Sequence, residues 1–177
     1  MKPAILLSAF VTLFSIPAPA SQPLLLQANQ GEQRTRLPRP GFDVKRLPTF
    51  IIKVDAKNGG SQSLVVLTED LLPGAVIPWH RHMHQDEVVY TENGTVYAQV
   101  GNRATSLGAH ATIFIPRRTW VTIRNNGSVT VRLLAIFNQP GFEKFLRCMS
   151  VPIGQPVHPL TQAQVDTCYS SGDAEHR

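Results

Sequence analysis

The histidines at positions 80, 82 and 84 are the residues of this chain best suited to chemistry. They fall within five residues and are followed by Asp86 and Glu87. Residues i and i+2 of a β-strand point to one face, so His80 and His82 project together, and His84 joins them if the strand runs that far. Glu87 has the opposite parity and reaches the same point only if the chain turns or bulges after His82. Such a set of ligands would bind Fe, Mn, Zn or Cu and leave coordination positions open, whereas a surface histidine cluster is the alternative.

The elements that must position these side chains are short apolar runs separated by turn residues. The runs are rich in Val, Ile and Thr and show no helical period of useful length. They predict an all-β sandwich or barrel. The predicted strands are 50–54, 62–67, 87–91, 95–100, 112–115, 120–124 and 129–137. Helical spacing is found only near the C-terminus, at 142–149 and 161–170, where a threonine opens the second helix as a possible cap.

The composition fits one compact domain. The chain has 177 residues, 42% of them hydrophobic, with 14 Pro and 12 Gly, which excludes a disordered or collagen-like protein. Two cysteines are too few for a disulfide scaffold. The net charge of +5 comes from scattered basic residues, and no aromatic residue is interleaved with the arginines at 34, 36 and 39. Nucleic acid is therefore not predicted as a partner.

The first twenty residues have the pattern of an export signal. Lys2 precedes an apolar stretch over 4–16, and small residues at 18–20 offer a cleavage site before Ser21. The apolar stretch is shorter than the ~20 residues that span a bilayer, so no stable membrane insertion is expected after cleavage. We therefore predict an exported protein, periplasmic or secreted. Its parts are a signal peptide (1–20), an extended N-terminal arm (21–49), a barrel (50–139) and a C-terminal helical appendage (140–177).

Five residues stand at the spacing of a known motif. Gly74, His80, His82, Glu87 and Gly94 match every position of the first cupin motif. The chain thus resembles the cupin superfamily, and in particular small single-domain secreted bacterial cupins related to quercetin dioxygenases. The resemblance implies a double-stranded β-helix, which is a jelly-roll barrel, with a divalent metal ion bound by the two histidines and the glutamate.

The second cupin motif is only partly present. When it is aligned on Pro116, His110 and Arg118 stand where the family has glycines, and Asn125 keeps the final asparagine. Val121 stands where the family has its fourth metal ligand, a histidine, and valine has no lone pair to offer. The fold prediction is unaffected because proline suits the end of a strand and Asn-Asn-Gly suits a turn.

The loss of the fourth ligand leaves three outcomes open. The three remaining ligands bind the metal with Val121 as an apolar wall, or His84 replaces the missing ligand, or the metal is absent and the barrel binds an organic ligand through neutral histidines. The first two fit a metal-dependent enzyme, dioxygenase-like or related, which takes a small oxygen-containing molecule and in which Glu87 doubles as a base. The third fits a non-catalytic cupin that binds a small ligand.

Other residues are weaker candidates for roles in function. Tyr90, Tyr97 and Gln99 lie on predicted strands and would donate a proton or a hydrogen bond if they line the pocket, but strand parity does not say which face inward. Cys148 and Cys168 lie in the appendage, and we expect them to pair in an oxidising compartment, with two buried thiols as the alternative. We also expect a homodimer in which the N-terminal arm adds to the sheet edge of a second copy.

Overall fold

The computed structural model describes residues 20–41 and 48–177. The predicted signal peptide lies outside the described residues except for Ala20, and so does the part of the predicted arm at 42–47. The described chain forms strands β1 (Glu32–Arg36), β2 (Thr49–Val54), β3 (Val65–Leu71), β4 (Val76–His82), β5 (Glu87–Thr91), β6 (Val96–Val100), β7 (Arg103–Leu107), β8 (Thr112–Ile115), β9 (Val121–Arg124), β10 (Val131–Phe137), β11 (Ser150–Pro152) and β12 (Ala174–His176), with helices α1 (Phe142–Cys148) and α2 (Gln162–Ser171).

The strands form two antiparallel sheets. One sheet has the order β11-β1-β2-β3-β10-β5-β8, and the other has the order β12-β4-β9-β6-β7. Consecutive strands β3 and β4, and again β4 and β5, lie in different sheets, so the chain passes back and forth between the two. This arrangement confirms the prediction of an all-β barrel built from two facing sheets. No helix among residues 20–41 and 48–177 is long and apolar enough to cross a membrane.

The core lies between the sheets because the strands bury alternate side chains. Along β10 every second residue is buried, beginning with Val131 and ending with Phe137. Val65 of β3 in the same sheet and Val121 and Ile123 of β9 in the other sheet are also almost fully buried. Each buried aliphatic or aromatic side chain contributes ~1.5–3 kcal/mol to folding. The buried faces therefore fix the register of the strands that carry the site.

The N-terminal arm adds a strand to its own barrel. β1 lies between β2 and β11 of the same chain, whereas we had expected it to pair with a second copy. Its partners explain the difference. The Arg34 guanidinium donates to the Ser150 side chain and carbonyl, each at 2.7 Å. The homodimer stays a prediction.

A buried ion-pair network fastens β1 to helix α1. Arg147 of α1 reaches Glu32 at 2.5 Å and Asp55 at 2.6 Å, and Asp55 is only 1% exposed. Burial alone raises the pKa of Glu32, but hydrogen bonds and charges from Arg147, Lys57 and Arg34 lower it to about 2. The arm is therefore an integral part of the described fold.

The C-terminal appendage is held by a disulfide. Cys148 at the end of α1 and Cys168 within α2 are bonded, which confirms the predicted pair. Thr161 caps α2 in a capping box with Gln164, as its position in the sequence predicts. After α2 the chain returns to the barrel and forms β12, which pairs with β4. The appendage therefore ends against the strand that carries the two candidate histidine ligands.

Two residues of the incomplete second motif keep a glycine-like backbone. His110 and Arg118 have φ of 65° and 64° and are the non-glycine residues of positive φ in the described chain. The motif places glycines at these positions because only glycine adopts this conformation without cost. The Arg118 amide donates to the His82 carbonyl at 2.5 Å, so this turn touches the strand of the candidate ligands. The local backbone is retained although the residue types have changed.

Candidate metal centre

His80, His82 and Glu87 meet between the two sheets. The histidines lie at the end of β4 in the five-stranded sheet, and Glu87 begins β5 in the seven-stranded sheet. The chain bends between these strands at 83–86, so a residue of opposite parity still points to the same space. The three residues are 5%, 1% and 6% exposed. The bend therefore lets Glu87 face the same space as His80 and His82, although strand alternation alone would turn it to the opposite face.

The distances within this cluster suit a single metal ion. One ligand atom from each of the three residues lies within 4.8 Å of the other two. His82 Nε2 and Glu87 Oε2 are 3.3 Å apart, yet both are buried and neither makes a hydrogen bond. An unsatisfied buried polar group costs ~1–3 kcal/mol, and an ion between these atoms would satisfy both of them. The residues present therefore fit a divalent cation.

Both histidines are held with Nε2 available for an ion. His80 Nδ1 lies 2.8 Å from the carbonyl of Pro78, and His82 Nδ1 lies 3.2 Å from the carbonyl of Asp173. A carbonyl oxygen only accepts hydrogen bonds, so each Nδ1 carries a proton and Nε2 is the nitrogen left to face an ion. Burial, together with the proximity of His82, lowers the pKa of His80 to about 4. His80 is therefore neutral near pH 7, as a metal ligand must be.

Two cavities adjoin the cluster. The inner one, of about 30 Å³, is lined by His80 and Glu87 and is large enough for an ion or a water molecule but not for an organic molecule. The outer one, of about 340 Å³, is lined mainly by apolar side chains and opens beside His80. The two cavities share five wall residues, which are Arg36, Glu69, Ile77, His80 and Phe142. A molecule in the outer cavity would thus approach the cluster from the side of His80.

The structure does not bring His84 to this cluster. β4 ends at His82, and the His84 side chain is 74% exposed. Its Nδ1 lies 2.6 Å from the Asp173 carboxylate instead. A strand that continued to position 84 would have turned this ring inward, but the bend at 83–86 turns it out.

Of the four predicted pocket residues, one faces the interior of the barrel and three face outward. Val121 is fully buried on β9 directly opposite His80, so it lies next to the candidate ligands. Tyr90 has the parity opposite to that of Glu87 and bonds to His110 at 2.8 Å on the outer face. Tyr97 and Gln99 alternate with the buried Val96 and are likewise turned away from the interior. None of these three lines either cavity next to the cluster.

Several residues at the site have no signal in the sequence. Asp173 and His176 reach it only because β12 pairs with β4, and Arg36 only because β1 joins the larger sheet. The His176 ring stacks 5.8 Å from that of His80 and lines the outer cavity. Burial, followed by the charges of neighbouring groups, lowers the pKa of His176 to about 3. A strand of three residues has no periodicity from which it could be predicted.

Comparisons with known proteins agree with this geometry. The family model described as "Cupin domain" matches residues 67–137, which include all three candidate ligands. A crystal structure of a predicted oxalate decarboxylase from Thermotoga maritima is similar with a TM-score of 0.57 and 14% identity, over 66% of this chain and 100% of that one. A sugar phosphate isomerase of the cupin superfamily from Silicibacter pomeroyi has a TM-score of 0.55 and 16% identity, over 67% and 77%. At these identities the similarity shows a shared fold, the double-stranded β-helix. None of the curated proteins matches the sequence significantly.

Proposed function

Because this chain belongs to the cupin superfamily, we propose that it is an exported small cupin that binds one divalent metal ion through His80, His82 and Glu87. We further propose that it is a metal-dependent enzyme, dioxygenase-like or related, acting on a small oxygen-containing molecule. The observation that carries the proposal is the buried set of three ligand atoms within 4.8 Å, of which His82 Nε2 and Glu87 Oε2 have no other partner. Such a set leaves coordination positions open.

The cavities support a reaction rather than a purely structural ion. A bound ion would act as a Lewis acid toward an oxygen of the substrate. The substrate body fits the outer cavity of about 340 Å³, and only a small group enters the inner one of about 30 Å³. Ile77 and Phe142 in the shared wall exclude water, and Arg36 in the same wall is paired with Glu69 at 3.1 Å. We assign Glu87 the second role of a base, since its carboxylate lines the inner cavity.

A non-catalytic cupin that binds a small ligand is the second candidate. Val121 in place of a fourth ligand favours it, because the site is one ligand short of the family pattern. In that case the Nε2 atoms of His80 and His82, rather than a metal ion, would contact the ligand. The two candidates differ in whether the isolated protein binds a metal ion.

The compartment is part of the same proposal. The Cys148–Cys168 bond supports export, because disulfides persist in oxidising compartments and are rare in the cytosol. A chain exported unfolded acquires its ion outside the cytoplasm, where imidazole ligands favour Zn or Cu by affinity. The resemblance to dioxygenases favours Fe or Mn.

The direct test is the metal content of the protein that begins at Ser21. It would be refolded without metal, offered Zn²⁺, Mn²⁺, Cu²⁺ or anaerobic Fe²⁺ in turn, desalted and analysed by mass spectrometry. We expect about one ion per chain, and less than about a tenth of that for His82→Ala, because two ligands hold an ion far more weakly than three. His158→Ala, which changes an exposed histidine, serves as the matched control. Wild-type protein that binds none of these ions would reject the metal-dependent enzyme and leave the second candidate.

A further inference from the structure

The segment that joins His82 to Glu87 is tied to one carboxylate from outside the matched cupin region. Asp173 Oδ2 accepts hydrogen bonds from the backbone amides of His84 and Gln85 at 2.9 and 3.0 Å. Asp173 Oδ1 accepts from the His84 amide at 3.1 Å and from the His84 ring at 2.6 Å. The Asp173 side chain is only 8% exposed. This buried carboxylate therefore holds the first half of the bend between the two ligands, whereas Asn138 and Arg117 bind Asp86 at its end.

The backbone of the same residue contacts a ligand directly. The Asp173 carbonyl accepts the hydrogen bond of His82 Nδ1–H at 3.2 Å, which fixes the tautomer and the orientation of that ring. The other histidine needs no such partner from elsewhere, because His80 donates to Pro78 within its own strand. The His82 ring thus depends on a residue far away in sequence, whereas the His80 ring does not.

The position of Asp173 is itself fixed on both sides. After it, Ala174 pairs with His82 and His176 pairs with His80 in the ladder of β12 and β4. Before it, Gly172 lies so close to α1 that an added Cβ would clash with the Phe145 Cβ. Gly141 is packed in the same way, since its Cβ would lie 3.0 Å from the Asp173 Cβ. A carboxylate packed this closely cannot move without moving the bend that it binds.

We propose that Asp173 is the positioning residue of the metal centre, which sets its affinity and coordination geometry by holding His82 and the bend before Glu87 in place. This inference rests on the proposed function where it is tested by metal affinity, because that measurement requires a bound ion. It predicts that the region outside the cupin match takes part in ion binding without supplying a ligand. Partners that orient metal ligands commonly change metal affinity 10–100-fold when they are removed, as a rough guide.

The test compares Asp173→Ala and Asp173→Asn with wild-type protein. We expect Asp173→Ala to weaken Zn²⁺ binding about 10-fold or more in competition with a chromophoric chelator, and to change the visible spectrum of the Co²⁺ form. Asp173→Asn keeps one acceptor oxygen and should give an intermediate value, which preserves the test if the alanine variant does not fold. Asp166→Asn on the exposed face of α2 is the matched control and should change the affinity less than about twofold.

His84→Ala separates the proposal from direct ligation by His84. The substitution removes the ring but keeps the backbone amide that donates to Asp173. We therefore expect Zn²⁺ affinity to fall by less than about threefold, because the backbone bonds persist. Abolished binding would make His84 a ligand and overturn the assignment of Asp173. Equal affinities and identical Co²⁺ spectra for wild type and both Asp173 variants would overturn it as well.

A measurement on the metal-free protein tests the inference independently of the proposed function. In protein without metal, hydrogen exchange at the amides of His84 and Gln85 should be faster in Asp173→Ala than in the wild type, because the carboxylate that accepts from these amides is removed. If the wild type binds no ion but this faster exchange is seen, the proposed function fails and the role of Asp173 in holding the bend stands. Unchanged exchange at both amides would reject the positioning role.

Discussion

Val121 is the residue in which the site departs most clearly from the cupin pattern. It lies opposite His80 in the ladder of β4 and β9 and is fully buried. An apolar side chain there contributes packing free energy but no coordination, so within residues 20–41 and 48–177 the candidate ligands are His80, His82 and Glu87. The local fold can accept this change because the packing of β9 does not require a metal ligand.

Restoring the missing ligand should strengthen metal binding. We expect Val121→His to tighten Zn²⁺ binding at least about 10-fold, because a fourth imidazole completes the tetrahedral set that zinc prefers. Chelator competition at pH 7.5 measures the change. Val121→Asn is the control, since it places a polar group of similar size there without an imidazole. An affinity that is the same for the histidine and asparagine variants would show that position 121 does not reach the ion.

At the scale of elements, the sequence predicts those strands whose side chains alternate or run apolar. β5 and β8 begin and end as predicted, and β2, β6, β9 and β10 differ by one or two residues. β3 begins three and ends four residues later than predicted, and β4 is not among the predicted strands. β1 and β7 are missed because Glu32–Arg36 and Arg103–Leu107 are mostly polar and have no apolar alternation. β11 and β12 are missed because each is only three residues long and pairs with distant partners. The same strands bring Arg36, Asp173 and His176 to the site, so these residues could not be predicted either.

The disulfide in the C-terminal appendage (140–177) should contribute to the free energy of unfolding of the whole domain. Replacing both Cys148 and Cys168 by serine removes a crosslink between residues 20 apart. In the chain-entropy model this lowers the free energy of unfolding by about 3 kcal/mol. Urea unfolding of the oxidised wild type and the double variant measures the difference, and reduced wild type should resemble the variant.

The same double variant should also bind Zn²⁺ more weakly, because α2 leads directly into Asp173. Chelator competition under non-reducing conditions tests this. If stability falls while Zn²⁺ affinity is unchanged, the strand pairing of β12 alone is sufficient to hold Asp173.

At the scale of the whole molecule, two buried neutral histidines make stability depend on pH. The pKa values of His80 and His176 are about 4 and 3 in the folded protein, against 6.5 for an unperturbed histidine. The unfolded chain therefore binds protons at higher pH than the folded one, and stability is lost as pH falls below about 6.5. The lowered carboxyl pKa values of Glu32 and Asp86, both about 2, act only below about 4.5 and do not interfere above pH 5.

We expect metal-free protein to lose about 2 kcal/mol of unfolding free energy for each of these two histidines between pH 7.5 and pH 5. Urea unfolding at a series of pH values measures the slope. His176→Gln should remove about half of it, whereas His158→Gln, a change of an exposed residue, should leave it as it is. A free energy that does not fall over this range would mean that the two rings are not buried in the neutral form.

The pairing of β1 with β11 and of β4 with β12 affects the order in which the structure forms during synthesis. β1 finds β2 soon after it emerges but must wait for β11, and β4 must wait for β12, which ends at residue 176. The surroundings of His82 are therefore complete only after β12 has paired with β4. An ion that arrives earlier meets all three ligands without the bonds from Asp173 that orient them, so tight metal binding should follow the pairing of these two strands.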